Sequence, residues 1–119
     1  MTVNILGTEY TVEIKEYDKD EAFERSSIDG YCDSWLKKIV VCDMETMPNF
    51  ENEPKETCIA AQKETLRHEI VHAFFYESGL GDSAIRYSDR SWSKNEEMVD
   101  WWALQGVKVY KAWESVGAV

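Results

Sequence analysis

His68-Glu69-Ile70-Val71-His72 is an H-E-x-x-H sequence, and its two histidines are the only ones in the chain. Residues four apart on a helix project from the same face about one turn apart. Both imidazoles can therefore grip one metal ion. Glu69 is rotated by roughly 100° around the helix from His68, so it can reach a water on that metal without being a ligand itself. This is the division of labour of metal-assisted hydrolysis: imidazoles hold the ion and a carboxylate acts as general base. The competing reading is a helix with two surface histidines and an incidental glutamate.

A tetrahedral site with one open position needs a third protein ligand. The metzincin extension of the motif would require Gly at 75 and His at 78. The chain has Phe75 and Ser78 there, and no further His. A carboxylate or thiolate must then complete the site. The segment Asn95-Glu96-Glu97-Met98-Val99-Asp100 is the best source. Glu96 and Asp100 share a helical face, so Glu96 could bind metal while Asp100 takes the free N–H of a ligand histidine and orients its ring. Several readings compete. Ser93-Lys94-Asn95-Glu96 is also a capping box with Glu96 at the third helical position. Glu97 could be the ligand in place of Glu96, and Asp100 could be an ordinary solvated carboxylate. Cys58 lies ten residues before His68, about 15 Å along a helix and too far to share the site. Cys32 or Cys42 could complete a structural Cys/His zinc site, which would leave Glu69 without a role.

H-E-x-x-H followed by N-E-x-x-x-D resembles the gluzincin class of zinc metallopeptidases. The gap of 24 residues from His72 to Glu96 is similar to that of minimal ImmA/IrrE-type metallopeptidases and of short H-E-x-x-H proteins carried by phages and prophages. The flanking Thr65-Leu66-Arg67 and Ala73 to Leu80 share that look, and the resemblance covers about residues 39–105. Where the ImmA/IrrE pattern has an Ala-Asn pair after the ligand Glu, this chain has Val99-Asp100. The resemblance implies Zn2+ held by His68, His72 and Glu96, Asp100 behind a ligand histidine, and Glu69 as general base. It implies hydrolysis of a peptide bond, with a specific protein partner as substrate, and a host cytoplasm if the chain is phage-encoded. It also implies a substrate strand pairing with an edge strand just before the motif helix, here Lys38 to Cys42. The alternative is a metal-stabilised regulatory or binding protein with little hydrolytic activity. Candidate donors to a developing oxyanion are Tyr76, Tyr87, Arg86 and Arg90.

The elements that must position these residues divide the chain in two. Thr2 to Leu6 and Tyr10 to Ile14 alternate around Gly7-Thr8 and predict a hairpin. Residues 15–27 form a charged stretch with no clear period. Asp29-Gly30 is a turn signal, Lys38 to Cys42 reads as a buried strand, and residues 46–53 read as loop. Pro54 suits a first helical position. A helical pattern then runs to Ser78, with Cys58/Ile59, Leu66, Ile70 and Ala73/Phe74 as its core face, and Gly79 supplies a left-handed stop. Residues 80–91 read as loop. A second helix begins near Ser93 and runs to about Trp113, with Met98, Trp101, Trp102, Gln105 and Val109 on one face and the Trp pair expected in the core. Strands followed by helices predict an α+β fold, a small N-terminal antiparallel or mixed sheet packed on two long helices.

The 119 residues fit one domain, residues 1–119, and 44% hydrophobic content with five Trp excludes a disordered chain. A net charge of −10 disfavours nucleic acid and anionic membrane surfaces. Three cysteines without C-x-x-C spacing argue against a disulfide framework and for core thiols. The N-terminus has no basic or apolar region of a secretory signal, and no apolar run approaches the ~20 residues of a membrane span. The expected compartment is a reducing cytoplasm.

Overall fold

The computed structural model describes residues 1–81, 92–116 and 119. Strand β1 (Thr2–Ile5) turns back into β2 (Thr8–Lys15). The two loop residues Leu6 and Gly7 both sit at positive φ, the conformation that matches the right-handed twist of a tight hairpin. The Asn4 side chain accepts the Gly7 N–H at 2.9 Å and fixes the turn. The charged stretch that follows holds a short helix, α1 (Glu21–Arg25), capped by Asp20, which accepts the Ala22 N–H.

Asp29-Gly30, expected as a turn, instead opens strand β3 (Gly30–Asp33). The turn lies four residues later, where Asp33 accepts the N–H groups of Trp35 and Leu36. Strand β4 (Lys38–Cys42) returns antiparallel to β3 and lies parallel to β2. The sheet order is β1-β2-β4-β3, so the mixed alternative of the expected sheet is the one formed. Strand β4 is thus central and not the edge the resemblance implied. Its uninterrupted apolar run agrees with burial on both faces. Ile39 and Val41 pack with Ile5, Tyr10, Val12 and Ala73, while Val40 and Cys42 pack with Phe23, Met44, Met47 and Cys58.

Helix α2 (Lys55–Glu77) follows two 3-10 turns, Met44–Thr46 and Pro48–Phe50, within the segment read as loop. Its N-cap is Pro54, and Gly79 at φ +85° marks its end. Leu66, Ile70 and Ala73 face the sheet as their spacing predicts, whereas Ile59 and Phe74 are exposed. At its C-terminal end Glu77 accepts hydrogen bonds from Thr8 and Tyr10 and pairs with Lys37. These contacts tie the last turn of α2 to the hairpin.

Helix α3 (Glu96–Ser115) is entered through a 3-10 turn, Trp92–Lys94. Its buried described residues are Val99 and Ala103, which rotates the packed face away from the predicted Met98–Trp101–Gln105 stripe. Trp101 is exposed, contrary to its expected place in the core. The Arg67 guanidinium donates to the Ala103 carbonyl and pins α3 onto α2. Among the described residues no helix is long and apolar enough to cross a membrane.

Candidate metal centre

Helix α2 delivers both histidines to one cleft. His68 and His72 lie one turn apart, and their Nε2 atoms meet at 3.0 Å. Helix α3 brings Glu96 across from them, with one carboxylate oxygen 3.2 Å from His68 Nε2 and the other 3.2 Å from His72 Nε2. Ligand atoms 2.0–2.1 Å from a tetrahedral zinc stand roughly 3.3 Å from one another. The two imidazoles are close to that spacing, Glu96 turns one oxygen to each of them, and the group is positioned to hold a metal ion.

The protonation pattern agrees with that geometry. Asp100 Oδ1 lies 2.7 Å from His68 Nδ1. An ionised carboxylate only accepts, so Nδ1 carries the proton, and in the neutral ring that leaves Nε2 with its lone pair. Burial holds the His72 imidazole below its ordinary pKa, with Glu96 pulling the other way. A neutral imidazole is the ligating form. Two ring nitrogens at 3.0 Å need a positive charge between them, either a shared proton or a metal ion.

Glu96 is free to do this because the capping box does not form. Asn95, not Ser93, caps α3: its side-chain oxygen accepts the Met98 N–H at 2.8 Å and its carbonyl accepts the Val99 N–H. Ser93 is buried and donates to the Leu80 carbonyl. Glu96 becomes the first helical residue, aimed at α2. Glu97 is exposed and stands outside the donor group, as do Cys32, Cys42 and Cys58 among the described residues. All three thiols are free.

Glu69 lies in the same cleft, packed against strand β3. It is only 6% exposed, and burial pushes its carboxyl up to about 7. Neighbouring His68 opposes the shift, and Asp29 and Glu96 add to it. A carboxylate poised near neutral pH is suited to taking and returning a proton. The fit against β3 depends on Gly30. A Cβ there would stand 2.8 Å from Thr65 Cγ2 and 3.3 Å from Glu69 Cγ. Thr65 in turn donates to Asp29 at 2.9 Å.

Between β3 and α2 lies a cleft of about 490 Å³, lined by residues 27–32, His68, Glu69, His72, Tyr76 and Glu96. Asp29 and Gly30 carry no local signal as site residues, and Cys32 lines the cleft without joining the donor group. Asp-Gly reads locally as a turn, and a four-residue strand has little period to detect. Of the proposed oxyanion donors, Tyr76 lines the cleft, whereas Arg86, Tyr87 and Arg90 lie outside the described residues.

Comparison with family models, curated proteins and solved structures gave no match for this chain.

Proposed function

We propose that this chain is a zinc-dependent endopeptidase with gluzincin-like chemistry, acting on an extended segment of a specific protein partner. The observation that carries the reading is Glu69. A site that only stabilised the fold would be closed by a fourth protein ligand and would need no base. Here a buried carboxylate that is not a ligand shares the cleft with the three donors and sits near neutrality.

Zn2+ suits two imidazoles and one carboxylate, and when bound it supplies an acidified water and polarises a carbonyl. His68, His72 and Glu96 would hold it. Asp100 keeps His68 in the ligating tautomer. Glu69 accepts the proton of the attacking water and delivers it to the leaving amide nitrogen.

Strand β3, not β4, offers the edge for substrate. The Cys42 N–H donates to the Asp29 carbonyl directly opposite it. In an antiparallel ladder the bonded pairs alternate. The main-chain groups of Gly30 and Cys32 therefore turn outward, to the open side of the sheet. An extended peptide adding there as a fifth strand would run along the cleft past Glu69 and the three donors.

A second reading, a metal-stabilised binding protein with little hydrolysis, draws support from the exposure of Glu96, whose side chain is 65% open to solvent. Glu69→Gln separates the two. Under the peptidase reading, the zinc-loaded variant keeps its metal and loses at least ~100-fold in cleavage of a peptide library. Cleavage unchanged by the substitution would remove Glu69 as base. A metal-loaded wild type that cleaves no member of the library would favour the binding role.

A further inference from the structure

Asp29 and Glu64 line a pocket of about 130 Å³ whose other walls are Thr65, His68 and Asp100. The pocket shares Asp29 and His68 with the metal cleft and continues it at the end where α2 approaches the start of β3. On the peptidase reading, Glu96 serves the metal, Asp100 orients His68 and Glu69 moves the proton. Asp29 and Glu64 are left without a part in that chemistry. Neither forms an ion pair among the described residues.

Asp29 is set in place from below. Thr65, itself buried, donates to one of its oxygens at 2.9 Å, so the other can accept from a ligand. Glu69 is 6% exposed, makes no hydrogen bond among the described residues and faces the adjoining cleft. A buried carboxylate without a donor is costly, and here the donor has to come from what enters the cleft.

Charge names the side chain that enters. Cleft and pocket together present Asp29, Glu64, Glu69, Glu96 and Asp100, and no described Lys or Arg. A divalent ion offsets two of these charges and the remainder stays negative. At the opposite end, beyond His72, the lining includes Phe75, Tyr76 and Lys94. The acidity is therefore concentrated at the Asp29 end and is more than the net charge of −10 spread over the chain.

The backbone aims a substrate side chain at this end. In an added strand, the residue opposite Gly30 lies on the same face of the sheet as Gly30. A Cβ on Gly30 would meet Thr65 and Glu69, so that face is the one turned to α2. The substrate side chain opposite Gly30 thus faces the turn of α2 that carries Glu64 and Thr65.

We propose that Asp29 and Glu64 select a lysine or arginine side chain of the substrate within two residues of the bond that is cut. This rests on the reading of β3 as the strand that takes the peptide, and it gives that peptide its chemistry.

Cleavage of a random peptide pool by the zinc-loaded chain, with products sequenced by mass spectrometry, tests the selection. Lys or Arg should be enriched about fivefold at one position beside the cut, the size that two partly shielded ion pairs supply. Asp29→Asn combined with Glu64→Gln should abolish the enrichment at unchanged zinc content, since Asn still accepts from Thr65. Glu64→Gln alone, at a half-buried helical position, should lower it and guards against misfolding of the double variant. Glu51→Gln with Glu53→Gln removes the same charge from an exposed turn and should leave the enrichment intact. Capture of the same pool on immobilised, zinc-loaded Glu69→Gln protein needs no hydrolysis. Basic peptides captured there, and lost when Asp29→Asn and Glu64→Gln are added, would uphold the selection even if the wild type cut nothing. Cleavage or capture without a basic preference would overturn it. So would a preference that survives in the double variant, one lost equally with Glu51→Gln and Glu53→Gln, or a pool from which nothing is cut or captured.

Discussion

Asp100 Oδ1 and His68 Nδ1 are 2.7 Å apart, and this contact fixes which nitrogen of His68 faces Glu96 and His72. It also couples the two helices at the centre of the site, because His68 belongs to α2 and Asp100 to α3. Asp100, which meets His68, and Glu96, which completes the group positioned to hold a metal ion, are thus one turn apart on the same helix.

Asp100→Ala should therefore weaken metal binding by roughly 10–100-fold, the usual effect of losing such a partner. Asp100→Asn, whose side-chain carbonyl can still accept from Nδ1, should lose less. Chelator competition with a zinc-sensitive dye measures both. Equal affinity in wild type and Asp100→Ala would mean that Asp100 is an ordinary surface carboxylate.

Gly30→Ala should separate catalysis from metal binding. The added methyl would stand 2.8 Å from Thr65 Cγ2, and Thr65 is β-branched and stiff. Strand β3 or Thr65 must shift, at about 1–3 kcal/mol for an overpacked contact. Glu69, the next nearest side chain, moves with them, whereas none of the three donors is among the atoms nearest that methyl. Urea denaturation should show the lost stability, and zinc affinity should stay within about threefold of wild type. A stability equal to wild type would show that the layer between β3 and α2 gives way freely.

Acid should loosen the hairpin from α2. Lys37, then Tyr10 and Thr8, hold the Glu77 carboxyl below its ordinary 4.5. Tyr31 chiefly, with the Ala22 N–H and Lys15, holds Asp20 below its ordinary 3.8. A depressed carboxyl adds stability that is complete above its unfolded pKa and is lost as pH falls through its folded value. The loss should begin below about pH 4.5. Glu77→Gln should be less stable than wild type near neutrality but lose less melting temperature on acidification. Parallel melting-temperature curves for the two proteins from pH 7 to pH 3 would contradict this.

How far the sequence reveals this arrangement depends on how local each signal is. His68, Glu69 and His72 are legible because one helix fixes their spacing whatever surrounds it. Glu96 and Asp100 are legible as a pair for the same reason, but the choice of Glu96 over Glu97 depends on where α3 begins. Asn95 decides that by capping, in place of the Ser93 box. Strand β4 is legible as a buried apolar run, yet its central place depends on β3. Strand β3 begins with Asp29-Gly30, a pair that reads locally as a turn. Only the close approach of Thr65 and Glu69, residues 35–39 positions away in the chain, explains the glycine. The packed face of α3 is not legible from hydrophobicity, because the crossing with α2, held by Arg67 and Ala103, selects Val99 and Ala103 over the larger Trp101.

Elemental mass spectrometry of the zinc-loaded, desalted protein asks whether His68, His72 and Glu96 hold one metal ion. Wild type and Glu97→Ala should retain about one zinc per chain, and Glu96→Ala should lose most of it. A wild type that retains no metal after loading, or a Glu96→Ala variant that retains as much as wild type, would mean that these three side chains do not form a metal site.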